Sequence, residues 1–182
     1  RSAEKNMILC FPNGYLPLVD IEQVRFFPYN HLHFNPFPTY LVGCNQFPIT
    51  SSWEAMKTLP TPYMDNFLHT SAYGIPKFVE RVWEMLGYIL SPDRNGKCFF
   101  VLQGLPNSGK SLLGRLIQEL LPEHKIAHLD IDQLNKKKAT KRLVNKCINI
   151  SMDLPNRPLA TPTIRNIKLI TGNDTITIEH EN

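Results

Sequence analysis

The chain has 182 residues, a formal net charge of +4, 42% hydrophobic and 20% charged side chains, a balance that excludes a disordered tail, a collagen-like repeat and a coiled coil. Such a length suits one ordinary domain or two small ones. No apolar stretch nears the roughly 20 residues that a bilayer-spanning helix needs, and no signal-peptide pattern opens the chain, so a soluble protein without membrane contact is expected. Arg1 in place of Met suggests a piece cut from something longer.

All ten Phe, six Tyr and two Trp fall before residue 101, and residues 101–182 carry the whole charge excess, with 12 basic and 8 acidic side chains. Two regions of different design are therefore expected: an aromatic-rich region over 1–94, ending in a helix, and a core over 95–182. The cysteines Cys10, Cys44, Cys98 and Cys147 lie far apart, with no CxxC pair, and read as free thiols and small buried hydrophobes.

In chain order, Asn13-Gly14 stands between short apolar runs at 8–11 and 15–19, the pattern of a β-hairpin. The Pro-dense stretch 29–38 reads as an ordered loop or edge segment. Its His31 and His33 could share one strand face as metal ligands, but no third ligand stands near them. From 75 to 90, Ile75, Phe78, Val79, Val82, Trp83, Met85, Leu86, Ile89 and Leu90 recur at helical spacing, with Pro76 allowed in the first turn. Lys77, Glu80, Arg81 and Glu84 form the opposite face, so Trp83 is expected in the core.

Residues 98–103 form an apolar run of strand type, followed by Gly104-Leu105-Pro106-Asn107-Ser108-Gly109-Lys110-Ser111 and a helical segment beginning at Leu112 and running to Leu121. This is GxxxxGK[ST] in the context of strand, loop and helix. Glycines let backbone N–H groups turn toward phosphate oxygens, and the helix adds its positive end. Gly104 through Leu112 would bind the nucleotide phosphates. Lys110 would neutralise the β and γ phosphates of ATP, and the Ser111 hydroxyl would ligate Mg²⁺.

Such a loop needs a carboxylate at the end of a neighbouring strand. Asp153 is the best candidate, 43 residues after Lys110 and at the end of the alternating run 147–152, before Leu154-Pro155; a strand-end Asp capping the next turn is the alternative. Asp130 and Asp132 are rivals, read as a strand end and a helix cap. Between them and Asp153, residues 135–146 hold six cations and no acid, either a solvated helix face or a contact to phosphate backbone or to a neighbouring subunit's nucleotide.

Taken together, these segments resemble the superfamily 3 helicase module of phage and plasmid primases and the related poxvirus primase-helicase. The likeness rests on Asn13-Gly14, Leu86-Gly87-Tyr88-Ile89-Leu90, Gly104 to Ser111, Asn145 to Pro155 and Ile167 to Asp174, occurring in the family's order. It implies an α/β fold: a P-loop NTPase (AAA+-like) parallel sheet flanked by helices, preceded by the smaller aromatic-rich region. Activity implied by the family is ATP- and Mg²⁺-dependent movement along single-stranded DNA by a ring, commonly a hexamer, with a primase domain possible upstream, in the cytoplasm of a bacterial host or at a site of viral replication. Carried over by position, Gly104, Gly109, Lys110 and Ser111 match Walker A and Asp153 matches the Walker B acid; Lys110 and Asp153 are then the catalytic residues.

Residues 165–182 resemble the family's helix leading into a channel hairpin, with 175–178 as a strand; Lys168 and His180 are the DNA contacts this implies. The family's hairpin tip usually carries a basic residue, whereas Glu179 and Glu181 flank His180. The family's polar sensor and arginine finger come after that hairpin. An arginine finger supplies on the order of 10³ to 10⁵ in rate, so Mg·ATP binding with poor hydrolysis is expected of this chain. Two other readings stay open: a non-catalytic nucleotide-dependent DNA-binding or loading module, and a small-molecule kinase, for whose lid only Arg157 and Arg165 are available.

Overall fold

In a computed structural model of the protein, residues 8–18, 24–29, 42, 53–91 and 96–172 are described. The chain divides into two compact units, Arg1–Pro92 with Glu119–Pro122, and Asp93–Gln118 with Glu123–Asn182. The fold is mixed α/β, and each unit has a small sheet of its own.

The first unit opens with the expected hairpin, β1 (Ile8–Phe11) against β2 (Gly14–Pro17), and β2 also pairs with β3 (Phe27–Pro28), all antiparallel. Its turn sits one residue earlier than the Asn-Gly signal suggests. Phe11 opposes Gly14, so Pro12 and Asn13 form the loop. Gly14 is instead needed for close approach: a Cβ there would clash with the Phe27 carbonyl and the Phe26 ring. The hairpin's buried face, Phe11 and Leu16, joins Val24, Phe26 and Val42 in an apolar cluster, with Leu9, Leu18, Trp53, Met56 and Leu90 packed against it. Phe11 and Phe26 meet edge to face at 6.2 Å, a favoured aromatic geometry.

Three helices follow, α1 (Trp53–Lys57), α2 (Pro62–Ala72) and α3 (Phe78–Leu90). The first two have no counterpart among the sequence expectations: α1 is too short to show a period, and α2 buries only Leu68. Helix α3 starts at Phe78 and not at Ile75, because Lys77 takes a left-handed conformation at its N-cap. Its buried residues are Val82, Met85, Leu86 and Ile89, the i, i+3, i+4, i+7 stripe of an amphipathic helix. Trp83 lies off that stripe and is 41% exposed, which corrects its expected place in the core.

The second unit holds α4 (Lys110–Leu120) as far as Gln118, β4 (Ile126–Ala127), α5 (Lys137–Thr140), β5 (Ile148–Asn149) and α6 (Thr161–Gly172). β4 and β5 pair in parallel, Ile126 opposite Ile148 and Ala127 opposite Asn149. Parallel pairing needs a crossover between the strands, supplied here by residues 128–147 with α5 and two 3₁₀ turns, Ile131–Asn135 and Lys141–Leu143. Leu113, Ile117, Leu129 and Leu134 are buried, Leu129 completely.

Residues 98–103 are not a strand. They join no ladder, and Phe99, Phe100, Val101 and Leu102 are 41–59% exposed. An apolar run carries strand propensity, but a strand exists only where a neighbour accepts its hydrogen bonds, and propensity is overridden by that context. Cys10 is buried and Cys147 partly so, as small apolar residues, whereas Cys98 is exposed with the run that carries it. His31, His33, Cys44 and residues 175–182 lie outside the described residues.

Candidate functional site: the loop before helix α4

The loop from Gly104 to Gly109 turns on a Ser108 N–H to Leu105 carbonyl hydrogen bond of 3.3 Å, and Leu113 N–H to the Gly109 carbonyl at 2.9 Å carries it into α4. Two of its residues are left-handed, Asn107 at φ 61° and Gly109 at φ 89°. Gly suits such a backbone at no steric cost and Asn tolerates it. Gly104 is also constrained, since a Cβ there would lie 2.9 Å from Ser108 Oγ. Left-handed residues within a turn are among the conformations from which anion-binding nests of backbone N–H groups are built.

Lys110 is the first residue of α4, and the Nζ donates to the Gly104 carbonyl (2.9 Å), the Leu105 carbonyl (2.6 Å) and Ser108 Oγ (3.2 Å). An ammonium has three donors, and all three are spent on the loop. The cation is thereby held on the loop whose backbone turns, beside a helix end where the first N–H groups have no intrahelical acceptor. Ser111 and Leu112 follow on the exposed side of the first turn, and Leu105, Pro106 and Asn107 are exposed at the loop tip.

On the strand side, β5 leads into residues 150–153. A chain of polar contacts fixes this path: Cys147 N–H to the Lys125 carbonyl (2.7 Å) and Ile150 N–H to the Ala127 carbonyl (2.9 Å) flank the ladder. Asn149 extends it, its Oδ1 accepting from Leu129 N–H at 2.9 Å and its Nδ2 donating to the Leu129 carbonyl at 3.1 Å. Ser151 Oγ accepts from Ile131 N–H at 3.2 Å and donates to the Asp153 carbonyl at 3.1 Å. Sequence reasoning passed over Asn149 and Ser151; the signal was two polar residues in an otherwise apolar strand pattern.

Met152, next to Asp153, reaches α4: a Cβ on Gly114 would sit 3.8 Å from Met152 Sδ and 3.9 Å from its Cε. Gly114 is one turn beyond Lys110, so residue 152 lies against the beginning of the helix that carries Lys110 and Ser111. The Asp153 side chain is exposed and has no hydrogen-bond or ion-pair partner among the described residues. Its rivals differ. Asp132 lies inside the 131–135 turn, engaged by Arg157 at 2.7 Å, and Asp130, three residues past the end of β4, takes the N-cap position of that turn without a side-chain hydrogen bond, which corrects their expected places as helix cap and strand end.

Ser111 and Asp153 both carry exposed side-chain oxygens, the hard donors that magnesium takes. No cluster of three or more His, Cys, Asp or Glu occurs among the described residues. Lys168 is exposed on α6, and His180 lies outside the described residues. No described helix is long and apolar enough to cross a membrane.

Comparison of the chain with family models, with curated proteins and with solved structures finds no match in any of the three.

Proposed function

We propose that this chain is the ATP-binding part of a P-loop helicase motor of the primase-helicase type, acting on single-stranded DNA as part of a ring. The observation that carries the reading is Lys110, held by three acceptors of a loop with left-handed residues at 107 and 109. A polyphosphate entering such a loop offers its own oxygens to the Lys110 ammonium and to the N–H groups of the first turn of α4. A phosphate oxygen carries a net negative charge where a carbonyl offers only a dipole, so the ammonium would leave the carbonyls of Gly104 and Leu105 for the phosphate.

Ser111 Oγ and the Asp153 carboxylate are the oxygens that would hold Mg²⁺, which when bound draws charge from the β and γ phosphate oxygens. Asp153 would orient that shell from the strand side. Arg157, engaged with Asp132, offers little to a kinase lid, which disfavours the small-molecule kinase.

The test is calorimetric titration of Mg·ATP and Mg·ADP into the chain, with Lys110→Ala as control. Micromolar binding that disappears in the variant is the expected result; equal binding in both would remove the loop from the function. A second reading, a nucleotide-dependent DNA-binding module without turnover, is favoured by the single exposed acid at Asp153. Phosphate release stimulated by single-stranded DNA separates the motor from the module.

A further inference from the structure

The cations between Lys136 and Arg142 are not spread around their helix. Lys137 and Lys138 lie on α5, and Lys141 and Arg142 on the 3₁₀ turn that continues it, so at about 100–120° per residue the four fall on roughly one half of the surface. The other side of the same stretch, Ala139, Thr140 and Leu143, turns inward, with Thr140 buried. Lys136, Lys138 and Arg142 are exposed, and Lys141 is half-exposed.

Both ends of the ridge are pinned. Before it, the Leu134 carbonyl accepts from Asn166 Nδ2 of α6 at 2.6 Å. After it, Lys146 Nζ donates to the His124 carbonyl at 2.8 Å and Lys125 Nζ to the Asn145 carbonyl at 3.4 Å. Neutralising partners are scarce: no acid occurs between Asp132 and Asp153 in sequence, and Asp132 is engaged by Arg157. The ion pairs among the described residues involve neither Lys136, Lys138, Lys141 nor Arg142.

We propose that the 136–142 ridge is a binding surface for the phosphodiester backbone of nucleic acid, read without base contacts. Charge complementarity selects an anionic partner, and two further observations select among anions. A helix that lies on a membrane must insert an apolar face, but here the apolar face is turned into the unit. No aromatic residue occurs anywhere in 101–182, so the ridge itself carries no ring on which bases could stack. Phosphate contact alone remains, and it is sequence-independent and strongly salt-dependent.

This surface is separate from the Gly104–Ser111 loop and does not depend on nucleotide binding. Its test is therefore run without nucleotide: fluorescence anisotropy of labelled oligo-dT and of a mixed-sequence oligonucleotide with the full chain, across a salt series. The variant is Lys137→Gln, Lys138→Gln, Lys141→Gln and Arg142→Gln together, with unchanged circular dichroism required. Lys77→Gln with Arg81→Gln, exposed cations on the other unit, is the charge control.

The expected result is equal affinity for both oligonucleotides, at least a tenfold loss in the ridge variant but not in the control, and a salt slope reduced by about 3, from roughly 0.7 per phosphate contact on a single strand. An affinity and slope unchanged by the four substitutions would overturn the proposal. So would binding to phosphatidylserine vesicles that the same substitutions abolish while DNA binding stays intact.

Discussion

The two units solve the same problem with different materials. In the first, backbone and side chains are held by an apolar cluster rich in aromatics, where Phe11, Leu16, Val24, Phe26 and Val42 exclude water from a short hairpin. In the second, whose two aromatic residues, Phe99 and Phe100, are exposed and outside any core, side chains staple the backbone directly: Asn149 to both polar groups of Leu129, Ser151 to Ile131, and Asn166 to Leu134. Apolar packing is non-directional and tolerant, whereas a polar staple is directional and fails when one atom is lost. The second design suits a region whose loops must carry charged chemistry at defined positions.

Substitutions can break this contrast. Phe26→Ala, at the centre of the apolar cluster, is expected to cost about 3–5 kcal/mol by urea denaturation; a loss below about 1 kcal/mol would mean that the cluster does not organise the first unit. Lys110→Ala should remove Mg·ATP binding by at least about 100-fold, near 2.7 kcal/mol, while leaving the melting temperature within about 2 °C. A large fall in melting temperature would show instead that Lys110 holds the fold through its three loop contacts.

A smaller effect is expected of Asn149→Ala, which leaves the N–H and carbonyl of Leu129 without their partner and should destabilise the second unit by about 1–3 kcal/mol. Hydrogen exchange at Leu129 is the direct readout; retained protection would refute the staple. Thr163 of α6 is fully buried, and its hydroxyl has no hydrogen-bond partner among the described residues. Thr163→Val keeps the shape and removes that unpaired group, so thermal melting should show a gain of up to about 1 kcal/mol.

Thiol reactivity sharpens the comparison with the least perturbation. Burial pushes the Cys10 thiol above the ordinary value, only partly countered by a hydrogen bond with Tyr29, while Cys98 stands exposed. Reaction proceeds through the thiolate, so peptide mapping after brief iodoacetamide treatment at pH 8 should find Cys98 modified and Cys10 spared. Equal modification would show that the hairpin core opens readily.

Much was already written in the residues. Asn13-Gly14 between two short apolar runs called for a hairpin, the 3.6-residue period called for α3, and the glycine and lysine spacing of 104–111 called for a loop entering a helix, because local sterics and periodicity act within a few residues. Other features needed the folded chain. Whether 98–103 becomes a strand depends on a hydrogen-bonding neighbour, which no local pattern supplies. The turn at Pro12-Asn13 was selected over Asn13-Gly14 by the approach of Phe26 and Phe27 to Gly14, a contact across a dozen residues. Trp83 was left partly exposed because its helix buries the neighbouring stripe, and Asp132 was engaged by an arginine 25 residues away. Periodicity says which residues share a face; only tertiary packing decides what that face meets.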